Sequence, residues 1–168
     1  AGFTFDAIQT NANVNLDFTA MTGSVTQSGD IIVSSGSNVT VDALGMLGAL
    51  ELGDIASATA NSISIAFDGS NAVTIGDMSA KTVTLDASEY LGKINDSGDA
   101  SIGSIDATTA VVSGSELKAN TFDITANDLT YTGGLDEDNV ALTVKVGTDK
   151  VATATGSFDG GAGENSLE

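Results

Sequence analysis

Cysteine and histidine are absent from this chain, so no disulfide staples it and neither thiol nor imidazole chemistry can occur in it. Arginine is also missing. The five basic residues are lysines set against 23 acids, for a formal net charge of -18, which makes nucleic acid and anionic membrane surfaces poor partners. Tryptophan and proline do not occur, and aromatic residues make up only 5%. The many Ser and Thr therefore have no histidine to activate them, and a sugar-cleaving site would lack the cations and aromatics that usually hold its substrate. No apolar run is long enough to cross a bilayer, so no transmembrane segment is expected.

What is present argues for a folded chain. Hydrophobic residues reach 41% and mean hydropathy is +0.16, too high for a charged disordered segment. Of the acids, 17 are Asp and six are Glu. That bias suits turns rather than helices, because the short Asp side chain competes for nearby backbone donors. The 168 residues suffice for one structural unit. The first residues, AGFTFDAIQT, show no initiator Met, basic segment or apolar leader, so the chain reads as a piece of a longer protein.

Three segments share one pattern: Val14-Asn15-Leu16-Asp17 with Gly23, Val39-Thr40-Val41-Asp42 with Gly48, and Val83-Thr84-Leu85-Asp86 with Gly92. Alternation with β-branched enrichment reads as a short strand, and the Asp and Gly that follow read as its corner. Ser62 to Phe67, followed by Asp68-Gly69, supplies a further copy and brings the period to ~20 to 25 residues, typical of solenoids. Further strands are expected at 31–33, 73–75, 110–112, 121–125, 128–132, 140–146 and 151–155. Leu44 to Ala60 and Ala87 to Ile94 have helical features, but Gly45, Gly48 and Gly53 interrupt the first at about 1 kcal/mol each. Both are expected as loops, with at most a helical turn near Ser88. The pattern predicts an all-β chain, a parallel β-solenoid of β-helix or β-roll type. Seven coils would span roughly 35 Å, and a β-sandwich is the alternative.

VTLDASEYLG (83–92), YTGGLDEDNVAL (131–142) and FDGGAGENSL (158–167) together resemble bacterial surface-layer proteins and large adhesins of the RTX type. The resemblance implies a single elongated β-repeat unit over 1–168, with solenoid coils in 1–130 and degenerate glycine/Asp repeats in 131–168. The RTX nonapeptide G-G-x-G-x-D-x-U-x uses glycine turns and an Asp to bind calcium and seats its large apolar residue in the core. Gly133 to Ala141 fits except that Asp136 stands at the third Gly, and Gly160 to Glu168 fits except that Asn165 stands at the Asp. A poorer copy runs from Val144 to Ala152 and keeps Gly147, Asp149 and Val151. On the resemblance, candidate calcium ligands are Gly133, Asp136 and Asp138, with Gly161, Gly163 and Asn165 in the terminal copy. The irregular spacing of these copies predicts that none completes another's coordination shell. The same residues also read as ordinary glycine turns.

The function implied is a structural, non-enzymatic segment of an extracellular, cell-surface protein: a self-assembling surface-layer element with calcium as cofactor and lattice neighbours as partners. A flat Thr/Ser/Asp face would favour assembly. An exposed aromatic cluster around Tyr90, Tyr131 or the six phenylalanines would favour an adhesin or carbohydrate-binding module that engages cell-surface polysaccharide. A β-helix polysaccharide-cleaving enzyme is the remote alternative and would need a groove with paired carboxylates.

Overall fold

A computed structural model describes residues 2–34, 36–56, 60–95, 99–145 and 154–168. Strands pair in parallel throughout, in a solenoid of about six turns, and no helix occurs among the described residues. A sandwich of antiparallel sheets is thereby set aside. Three ladders run along the axis. The first stacks β1 (Phe3–Phe5), β4 (Val25–Gln27), β7 (Leu50–Leu52), β10 (Val73–Ile75) and β12 (Ala100–Ile102). The second holds β2 (Ile8–Thr10), β5 (Ile31–Val33) and β8 (Ile55–Ala56), followed by the first halves of β11 (Met78–Asp86) and β13 (Ile105–Ser113). The third stacks β3 (Val14–Asp17), β6 (Asn38–Ala43), β9 (Ser62–Phe67), the second halves of β11 and β13, β15 (Asp128–Thr132) and β17 (Thr155–Asp159). The remaining strands, β14 (Asn120–Thr125), β16 (Asp138–Thr143) and β18 (Ser166–Leu167), pair in that order.

Period-2 alternation builds the core. Val14, Val39, Ile63, Val83, Ala110 and Leu129 occupy one register column of the third ladder and are all buried. Ile31, Ile55, Met78, Ile105 and Ile124 line the second ladder, equally buried. Each fully buried Val, Leu or Ile contributes ~1.5–3 kcal/mol, and each rung is too narrow for much beyond aliphatic side chains. Aromatics enter only at particular turns: Phe67 meets Tyr90 edge-on at 5.2 Å, and Tyr131 stacks on Phe158 at 5.1 Å.

The repeated Asp occupy one corner, as their spacing predicts. Asp17 lies in register with Asp42. Asp17, Asp42, Asp86 and Asp159 each accept the backbone N–H two residues on, from Thr19, Leu44, Ser88 and Gly161, at 3.0 to 3.2 Å. Each is an Asx turn that ends a strand. In the third turn Ala66 interrupts the column, and Asp68 instead accepts the Gly45 N–H of the turn before at 2.7 Å.

The segment Leu44 to Ala60, expected as loop, carries β7 and β8. Its strands are only three and two residues long, too short for alternation to stand out, and they are held by register with neighbouring turns. The corner between the first and second ladders repeats a Gly-Asp pair, Gly29-Asp30, Gly53-Asp54 and Gly76-Asp77, with Gly103-Ser104 as a variant. A Cβ on Gly53 would lie 2.3 Å from the Gly29 carbonyl oxygen, so the turns touch backbone to backbone there.

Candidate functional site

The candidate calcium loops leave the third ladder at one corner and lead into β16 and β18. Gly133 to Asp138 follows β15 and Gly160 to Asn165 follows β17, so the loops sit on successive turns. They touch: Gly133 N–H donates to Asp159 O at 2.7 Å and Ala162 N–H to Gly134 O at 2.8 Å. A Cβ on Gly161 would fall 2.0 Å from Gly134 O, and Gly161 is at φ 68°, where glycine is favoured. The copies lie 27 residues apart in register, because the chain between them winds once around the axis.

Asp138 points inward and is fully buried. Its Oδ1 accepts the Asn120 N–H at 3.0 Å and the Asn120 Nδ2 at 2.7 Å, and its Oδ2 accepts the Gly134 N–H at 3.2 Å. Asn165 repeats the arrangement one turn on, with its Oδ1 accepting the Asp138 N–H at 2.9 Å and its Nδ2 donating to Gly161 O and Ala162 O. One turn earlier the Asn120 Oδ1 accepts the Ser115 N–H at 2.7 Å. Asn120, Asp138 and Asn165 thus form an Asx ladder across three turns, closing three equivalent glycine loops. The first of these, Gly114 to Asn120, lacks the double glycine and escaped the motif. The recurrent sign was an Asn or Asp five or six residues after a glycine.

Burial pushes the Asp138 carboxyl up, against the opposing pull of its bonds from Asn120 and Gly134. Tyr131 lies beside it, its hydroxyl buried without a hydrogen-bond partner and its pKa raised by that burial. Tyr90 is pushed up to about 12, chiefly by burial and secondarily by Asp99, and its hydroxyl donates to Asn71 O at 3.0 Å.

Calcium takes 6 to 8 oxygens. Asp138 and Asn165 commit their side-chain oxygens to N–H donors, while Asp136 faces solvent with its backbone packed against Gly163. Among the described residues no three acids stand close enough to hold a metal ion. As placed, the loops form a hydrogen-bonded seam and do not fit as a closed calcium cage. Val144 to Ala152 lies largely outside the described residues.

Comparison with family models, curated proteins and solved structures finds no match. The functional reading therefore rests on this chain's own geometry. The outward column of the third ladder runs Asn15, Thr40, Ser64, Thr84, Val111, Thr130 and Ser157, a row of mostly small polar side chains on a straight ladder. Tyr90, Tyr131, Phe67 and Phe122 are all buried.

Proposed function

We propose that this chain is a structural segment of an extracellular, RTX-like surface-layer protein, a stiff spacer that self-associates in the presence of calcium. The observation that carries the reading is the unbroken third ladder, faced mostly with Thr, Ser and Asn and cornered with Asp. Such a rod supplies length and rigidity, because each turn is locked to its neighbours by backbone hydrogen bonds and a shared core. Both tyrosines are buried, which leaves Phe3 beside Phe5 as the exposed aromatic pair that a carbohydrate-binding module would use.

Charge density supports a role for divalent cations without a cage. A net charge of -18 spread over about six turns, at ~4.8 Å per turn, gives about one charge per 1.6 Å of axis. Duplex DNA, with about one per 1.7 Å, condenses counterions around itself. Neighbouring rods of this kind repel until divalent cations gather between them.

The experiment is light scattering and electron microscopy over a concentration series, in calcium or in chelator. Ordered assemblies that need calcium are expected. A chain that stays monomeric in calcium at every concentration would overturn the reading.

A further inference from the structure

We draw no further inference here: the strongest candidate, the corner after the third ladder where Leu44, Leu47, Leu91, Leu117 and Leu135 stand exposed, skips the loop at 68–72 and is flanked by Lys93 and Lys118 as well as by acids, and nothing in the structure shows what covers it.

Discussion

Asn95 joins two turns by its side chain where the backbone ladder is interrupted. Ile94 forms parallel bridges to both Ala100 and Asn120, so residues 94 and 95 are wedged between β12 and β14. The Asn95 Nδ2 donates to Ile102 O at 2.8 Å and Thr121 O at 2.9 Å, and its Oδ1 accepts the Ile102 N–H at 2.7 Å. The amide therefore stands in for a peptide group. Its backbone is at φ 55°, a conformation that Asn and Asp tolerate and most residues resist by ~1–2 kcal/mol. Three hydrogen bonds at ~0.5–1.5 kcal/mol each, partly exposed to water, are worth about 3 kcal/mol together. Asn95→Ala should lose that and about 1 kcal/mol more for the backbone, and Asn95→Gly should lose only the hydrogen bonds.

Asn95→Asp separates the two contributions. Asp accepts the same backbone angle and keeps one acceptor, but it replaces two donated bonds with a carboxylate facing two carbonyl oxygens. It should be at least as damaging as Ala. Urea unfolding followed by tyrosine emission suits the measurement, because tryptophan is absent and the two tyrosines, Tyr90 and Tyr131, precede and follow the junction in the chain. In a stack whose stability comes from nearest-neighbour coupling, weakening this one interface should also split a single transition into two. An Asp variant as stable as wild type would refute the reasoning, by showing that only the backbone angle matters.

Asp138→Ala should cost about 3–5 kcal/mol in urea unfolding, since it strands three buried donors, from Asn120 and Gly134. The same residue sets a pH dependence. Its folded pKa is raised by burial, so the folded chain keeps a proton that the unfolded chain has already lost, and its contribution to stability falls as pH rises from about 4 through the folded value. The stability difference between wild type and Asp138→Asn should fall over that window, and a difference that rises contradicts the assignment. Tyr131→Phe should be neutral or stabilising by about 1 kcal/mol, because the hydroxyl it removes is buried and unpartnered; a clear loss on thermal melting would show that the hydroxyl is bonded.

The third ladder was legible in the sequence because its strands are four residues or longer and several carry an Asp at or next to their end. Val14 to Asp17 and Val39 to Asp42 announce both the inward column and the corner. The first ladder was legible only at Val73–Ile75. Leu50-Glu51-Leu52 and Ala100-Ser101-Ile102 are strands only because a neighbouring turn supplies their hydrogen bonds, and three residues carry no period of their own. The Gly-Asp repeat at 29, 53 and 76 was in plain view, but it marks a corner between two ladders and so falls outside any strand pattern. At the candidate site the glycine loops were legible, whereas the direction of Asp138 was not. A carboxylate on a glycine turn can face out to a metal or in to N–H donors, and Asn120 and Asn165 above and below it decide for the inside.

The Asp content and the charge density have a common origin. Asp recurs because each turn needs corners and an Asx turn makes a corner without proline, so every added turn adds carboxylates at a fixed spacing. The line charge then follows from the fold and does not depend on length. If divalent cations act by condensing on that line charge, magnesium and calcium should raise the melting temperature and promote association to similar extents, and monovalent salt should compete with both. If they act through a loop cage, calcium alone should serve, since magnesium demands a tighter octahedral set of oxygens and gives up its water reluctantly. Melting curves at matched ionic strength in the two salts separate these cases. A response to calcium with none to magnesium would return the candidate site to the loops at Gly133 and Gly161, and would require Asp138 to turn outward on binding.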